Sequence, residues 1–352
     1  MRIAQVAPLF ESVPPKYYGG TERVVSYLTE ELVRQGHDVA LFASGDSVTQ
    51  AKLVASTRRS LRLDKHCVDQ LAPQVLMLER VVQSASSFDV IHFHVDYLHF
   101  PYSRRHNTAH LTTLHGRLDL PELVPLYREF HDMPVVSISS AQREPLPFAN
   151  WLGTVHHGLP HDLYRFRAEA GEYLAFIGRV APEKRVDRAI AIAKRVGLPL
   201  RIAAKVDAVD REYFESIVEP LLDDPLVEYI GEIGDGEKQE FLGNAKVLLF
   251  PIDWPEPFGL VMIEAMACGT PVIALRRGAV PEIVEHGRTG FVVGDLDEAI
   301  AATERIGEIS RQRCRELFEE RFTAARMASD YLALYESLLE MGERRAAGAH
   351  LR

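Results

Sequence analysis

A chain of 352 residues with 47% apolar side chains is long for one hydrophobic core and suits two. Its 50 acidic against 40 basic side chains leave a formal net charge of −10, which excludes general affinity for nucleic acid. No run of about 18 apolar residues occurs, and the three cysteines, Cys67, Cys268 and Cys314, fit neither a disulfide framework nor a zinc spacing, so a reduced cytoplasm is the expected home.

The first apolar run, residues 3–7, reads as a strand; the stretch from Met1 to Pro8 is too short for the core of a leader peptide. Gly19 and Gly20 follow Pro14, Pro15, Lys16, Tyr17 and Tyr18 and precede Thr21, the expected N-cap of a helix over 21–35. A strand, a long loop, two glycines and a helix start make a loop that phosphate can approach. It lacks the G-x-G-x-x-G spacing of a dinucleotide binder, which counts against a nicotinamide enzyme. A strand at 39–43 and a helix at 70–86 bracket a basic group, Arg58, Arg59, Arg62 and Lys65; a second group is Arg104, Arg105 and His106. These are solvated faces, or else contacts to an anionic membrane surface or an acidic acceptor. On the strand at 90–95, His92, His94 and Asp96 alternate and therefore share one face. They could hold a metal or, as strand-end polar groups, line an acceptor cleft. His115, Gly116 and Arg117 follow the strand at 111–114, where a doubly wound sheet displays its site. A strand at 135–139 ends the first set.

The pattern restarts after a polar stretch, 160–171. Strands at 173–178, 200–205, 227–230, 246–250, 271–275 and 290–293 alternate with helices at 184–196, 211–222, 237–243, 258–268 and 296–306. Apolar runs without polar alternation indicate parallel sheets covered on both faces. Gly178 and Arg179 end the first of these strands, and Lys184 opens the next helix after Pro182 and Glu183. Two cations five residues apart can reach one ligand, and because cations are unfavourable at a helix N-terminus, at least one should have an anionic partner. Asp295-Leu296-Asp297 reads as a helix cap. Met327, Tyr331, Leu332, Tyr335 and Leu338 recur at helical spacing within 323–341, and the tail from Arg344 carries no core pattern and is expected to be mobile.

The stretch from Glu256 to Val272 is the most informative. One carboxylate, Glu256, precedes an apolar helix and a second, Glu264, lies inside it near its packed face, where it needs a polar partner. Gly259 lets a ligand approach the backbone. The first N–H groups of a helix lack intrahelical partners and carry partial positive charge, so phosphate fits there, flanked by two acceptors for hydroxyl groups.

This Glu-x7-Glu stretch, with Gly19-Gly20, Thr113-Leu114-His115-Gly116, Gly178-Arg179 and Glu183-Lys184 in the same order, resembles retaining glycosyltransferases of family 4, and the likeness covers most of the chain. The resemblance implies an α/β GT-B fold: two doubly wound Rossmann-like domains with an interdomain cleft, and a C-terminal helix crossing back to the first. Residues 1–160 would form the acceptor-side domain, 171–320 the nucleotide-sugar domain, 321–343 the crossover helix and 344–352 the tail. The implied reaction is retaining, metal-independent transfer of a sugar from a nucleoside diphosphate sugar of UDP or GDP type to an acceptor hydroxyl on a sugar, lipid or natural product, without any further cofactor. His115, Arg179, Lys184 and Glu256 would be catalytic. Gly19, Gly20, Gly178, Ile233, Pro257, Phe258, Gly259, Leu260 and Glu264 would bind the donor, Glu256 through the sugar and Glu264 through the ribose. Tyr18, His94, Asp96 and Arg117 would lie on the acceptor side. His157-Gly158 stands where the family usually has Asn-Gly, and the segment 251–255, which contains Trp254, is longer and more apolar than the common form. The rival readings are an epimerase or phosphorylase on the same fold, or a silent module that binds nucleotide sugars.

Overall fold

The computed structural model describes residues 1–16 and 19–349, so Tyr18, an acceptor-side candidate, lies outside the described residues. The chain forms two compact units. One is Met1–Pro160 together with the last helix, and the other is His161–Thr323.

The first unit holds a seven-stranded sheet in the order β3-β2-β1-β4-β5-β6-β7, with every pair parallel. Its strands are β1 Arg2–Val6, β2 Asp38–Ser44, β3 Lys52–Thr57, β4 Val90–Phe93, β5 Ala109–Thr113, β6 Pro134–Ser137 and β7 Asn150–Thr154. The sequence pattern reveals five of the seven. The two it hides, β3 and β7, are the edges of the sheet, and their residues are mostly half-buried. An edge strand covers less of the core, so KLVAST and NWLGT lack the continuous apolar run that marks β1, β2 and β4.

The second unit holds a six-stranded parallel sheet, β10-β9-β8-β11-β12-β13, made of β8 Tyr173–Arg179, β9 Leu200–Lys205, β10 Val227–Gly231, β11 Ala245–Phe250, β12 Val272–Leu275 and β13 Gly290–Val293. The expected helix over 211–222 is broken. Arg211–Tyr213 passes into a π-turn at Phe214–Val218 and a 3-10 turn at Glu219–Leu221, and Pro220, which has no N–H to donate, sits in the last of these. Buried Arg311 and Arg315 tie the unit together. Arg311 donates to the carbonyls of Arg167, Gly243 and Ala245, and Arg315 to those of His161, Tyr164 and Ala267.

Each sheet reverses its strand order once. In the first unit β1 pairs with both β2 and β4; in the second, β8 pairs with both β9 and β11. Ligands of doubly wound sheets bind beyond the carboxyl ends of the strands at such reversals.

The last helix, Ala324–Ala349, packs on β5 and on helix Gly20–Arg34 of the first unit. Met327, Tyr331 and Tyr335, four residues apart, form its buried stripe. Here the helix continues past Arg344 as far as Ala349, where the sequence pattern leads one to expect a tail; that stretch is mostly Ala and Arg, good helix formers. The Ala324 N–H donates to the Leu159 carbonyl at 2.7 Å, so this helix begins beside the end of the first unit's opening segment.

Candidate functional site

In the second unit, the loops after β8 and β11 flank the strand-order reversal and are tied to each other. The Asp253 N–H donates to the Glu183 carbonyl at 2.8 Å. Lys184 Nζ donates to Glu256 Oε2, and the Trp254 indole N–H donates to the same oxygen at 3.0 Å. The Lys184 ammonium lies 4.9 Å from the Trp254 ring centre and 5.9 Å from that of Phe250, over faces that attract a cation. Glu256 is 9% exposed. Both of its hydrogen bonds fall on Oε2, which leaves Oε1 to accept from a ligand hydroxyl.

Lys184 does not open a helix, as the sequence suggests. It ends a 3-10 turn, Pro182–Lys184, and Arg185 follows in the left-handed region, with φ 54°, before helix Val186–Val196 begins. A non-glycine residue held there stores strain of about 1–3 kcal/mol. Bonds from Arg185 to Asp187 at 2.8 Å and to Asp253 at 3.1 Å hold it in place. The turn frees Lys184 from the helix dipole that would oppose its charge.

Arg179 is held by acids. Its guanidinium pairs with Glu183, lies 3.3 Å from Asp210 and reaches Asp207 at 3.9 Å. Lys184 has Glu256 as its partner instead. The structure thus gives each of the two cations its own carboxylate. Gly178, one residue before Arg179 on β8, has open space where a side chain would stand.

The helix expected at 258–268 begins at Leu260. Gly259, with φ 84°, is its N-cap, and Pro257 and Phe258 are buried just ahead of it. Glycine is needed there for the backbone conformation; the nearest obstacle to a Cβ, the Met262 methyl carbon at 2.7 Å, is the tip of a flexible side chain. Glu264 is 3% exposed, and Lys238 Nζ donates to both of its oxygens, at 2.9 and 3.2 Å. Lys238 lies on helix Asp235–Gly243, which follows β10 and half-buried Ile233. The sequence reading identified Glu264's need for a partner but missed Lys238, which lies 26 residues away with no motif joining the two.

Gly278 was also missed. Its φ is 51°, and a Cβ there would overlap the main-chain N and O of Glu256, whose carbonyl accepts from the Ala279 N–H at 2.9 Å. The obstacle is backbone, which cannot swing aside. Gly278→Ala is expected to displace Glu256 and lower kcat/KM about a hundredfold, as misplacement by roughly 1 Å does. Steady-state kinetics checks this; unchanged kinetics would show that the Glu256 loop tolerates the shift.

In the first unit, Gly19 rather than Thr21 is the N-cap of helix Gly20–Arg34, and no side chain caps that end. A Cβ on Gly19 would lie 2.8 Å from Pro15, which explains glycine at that place. Beyond β4 and β5 lies a cluster of histidines. His94 Nδ1 is 2.9 Å from His115 Nε2, and His94 Nε2 is 2.8 Å from Gln5 Oε1. His92 Nδ1 meets the Tyr335 hydroxyl at 2.7 Å, and its Nε2 meets Thr113 Oγ1 at 2.7 Å. His92 and His94 do share a face, with ring centres 4.0 Å apart, but Asp96 does not continue the strand with them, which corrects the expectation for all three. His92 is fully buried against the last helix and His94 is buried, whereas Asp96 lies past the end of β4 with φ 50° and is exposed. Among the described residues no group of three or more His, Cys, Asp or Glu could hold a metal ion. Arg117 is exposed and pairs with Asp119 at 2.7 Å.

His115 stacks on His157 with ring centres 5.2 Å apart, and Gln142 pins its loop by donating to the carbonyls of Leu114 and Gly116. Loss of hydration pushes the His115 imidazole down to about 3 and drives His92, His94 and His157 well below the usual histidine value. Burial thus favours the neutral form of these rings.

A family profile described as Glycosyltransferase Family 4 matches residues 18–197, and one described as Glycosyl transferases group 1 matches residues 165–324. The chain is 26% identical to N-acetyl-alpha-D-glucosaminyl L-malate synthase of Bacillus anthracis, over 91% of this chain and 94% of that protein. Among solved structures it is similar to AviGT4, a glycosyltransferase involved in avilamycin A biosynthesis, at 25% identity and TM-score 0.73, covering 97% of this chain and 98% of that one. Alr3699/HepE of Anabaena, solved with UDP and glucose, shares the fold at 19% identity and TM-score 0.71, over 96% of this chain and all of that one.

Proposed function

Because this chain belongs to Glycosyltransferase Family 4 and is a glycosyltransferase with the GT-B fold, we propose that it moves a sugar, with retention and without a metal, from a nucleoside diphosphate sugar to an acceptor hydroxyl. The observation that carries this reading is the pairing of Lys184 with Glu256 just ahead of the helix that bears Glu264. As the bond between sugar and phosphate breaks, negative charge grows on the leaving diphosphate. Lys184, Arg179 and the N–H groups at the head of helix Leu260–Ala267 are oriented beforehand to stabilise it, and such preorganised groups are worth most where water is excluded. Exchanging one carboxylate for phosphate oxygens lets each cation keep an anionic partner throughout. Glu256 Oε1 accepts from a hydroxyl of the transferred sugar, and Glu264, steadied by Lys238, from the ribose. In the first unit His115 and Asp96 serve the acceptor, and His94, with both ring nitrogens occupied, acts only through His115.

With Glu256 paired to Lys184 and Glu264 to Lys238, departure and attack on one face of the sugar, assisted by the diphosphate, is the favoured route. The acceptor is a sugar, a lipid or a natural product bearing a hydroxyl. The test has two stages. A thermal-shift panel of uridine, guanosine, adenosine and thymidine diphosphates with their sugars identifies the donor by the rise in melting temperature. The product's anomeric configuration is then assigned by NMR with chelator present. Retention with full turnover supports the proposal, and inversion or loss of turnover on chelation would overturn it.

A further inference from the structure

The polar groups behind His115 form one continuous chain reaching the last helix. Gln5 Nε2 donates to the Tyr335 hydroxyl at 3.2 Å, so its Oε1 is left to accept from His94 Nε2 at 2.8 Å. His94 Nε2 therefore carries the hydrogen. A neutral imidazole has only one N–H, so His94 Nδ1 is bare and accepts from His115 Nε2–H at 2.9 Å. His115 Nδ1 is then bare as well, and it is a buried atom with no partner among the described residues. The opposite order would leave a buried N–H unpaired there, which native structures tolerate less well than an unsatisfied acceptor. Tyr335 is also fixed from its other side: it donates to His92 Nδ1 at 2.7 Å, and His92 Nε2–H donates to Thr113. Gln5, His92 and Tyr335 are fully buried and His94 is 2% exposed, so water does not compete for these bonds.

We infer that Tyr335, Gln5 and His94 are positioning residues that lock His115 in its Nε2–H tautomer and leave its buried Nδ1 a bare acceptor. The inference deepens the proposed transferase reading by naming the groups that hold His115, and the tautomer itself does not rest on that reading.

The experiment uses the full chain with 15N-labelled histidine and long-range proton–nitrogen correlation NMR near pH 7.5. His115 is assigned by the loss of its signals in His115→Gln. The expected spectrum shows a protonated Nε2 and an unprotonated Nδ1 for His115; the reverse pattern would overturn the inference. Tyr335→Phe, which removes the hydroxyl holding the Gln5 amide, should move the His115 Nδ1 signal toward the protonated range. Unchanged His115 signals in Tyr335→Phe would remove the last helix from the relay, and the wild-type spectrum alone tests the tautomer if that variant does not fold. In kinetics, Tyr335→Phe should lower kcat about five- to tenfold, the effect of one neutral hydrogen bond, with nucleoside diphosphate affinity unchanged. The expected tautomer in a protein that transfers no sugar to any acceptor would uphold the relay and reject the transferase reading.

Discussion

Shifting the solution from pH about 7.5 to pH about 5.5 is expected to remove about 5 kcal/mol of stability from the first unit, through linkage between proton uptake and unfolding. Burial holds five of its histidines, His92, His94, His99, His115 and His157, well below the ordinary value of 6.5. They stay neutral in the folded state while the unfolded chain takes up protons below pH 6.5. Their contribution is therefore fully present above that pH and lost as it falls. One unit below, each histidine weakens the fold by roughly 1 kcal/mol or a little more, on the order of 7 kcal/mol for the five together. Glu22 acts in the opposite sense. It is buried in helix Gly20–Arg34, and loss of hydration raises its carboxyl to about 7. Its proton returns in the folded state first as pH falls, which restores about 2 kcal/mol over the same interval. The histidines win. Melting curves at three pH values check the sum: the melting temperature should drop by roughly 10–20 °C, given about 2–4 °C per kcal/mol for units of this size. A melting temperature that holds or rises on acidification would show that these rings are not kept neutral.

Lys184→Ala should lower kcat by about a hundredfold to a thousandfold at saturating donor, as does the deletion of one preorganised charge stabiliser elsewhere. Two effects combine. The leaving diphosphate loses a fixed cation, and Glu256, only 9% exposed, keeps just the Trp254 N–H as a partner. The second effect also destabilises the fold, so melting is measured alongside turnover. A large fall in kcat with a modest fall in melting temperature is the expected pair of results. Turnover within tenfold of wild type would take Lys184 out of the chemistry and leave it as the counter-ion of Glu256.

The parts of this protein legible in its sequence are those written in contiguous residues. β1, β2 and β4 are buried runs, and the helix bearing Glu264 carries its glycine, its apolar face and its two acids within a dozen residues. What escaped depends on contacts between distant segments. Lys238 is recognisable as Glu264's partner only once helix Asp235–Gly243 lies beside helix Leu260–Ala267. Gly278 matters because the main chain of Glu256 presses on it, and no local pattern encodes that pressure. His92 alternates with His94 along the chain and so shares its face, but no local pattern shows that Tyr335, 243 residues later, covers it. Lys184 looked like the first residue of a helix because the left-handed turn at Arg185 is secured by Asp253, from another loop.

The return of helix Ala324–Ala349 to the first unit has a consequence for how the protein is made. A ribosome finishes residues 1–160 long before it delivers Tyr331 and Tyr335, the side chains that satisfy Thr113, His92 and Gln5. Until then His92 Nδ1 and Gln5 Nε2 lack the hydroxyl that joins them, and the face of β5 lacks its cover. The second unit, His161–Thr323, is contiguous and can close as soon as it emerges. The unit translated first is thus the one completed last, and a gene cut after codon 160 would yield a fragment without its own keystone.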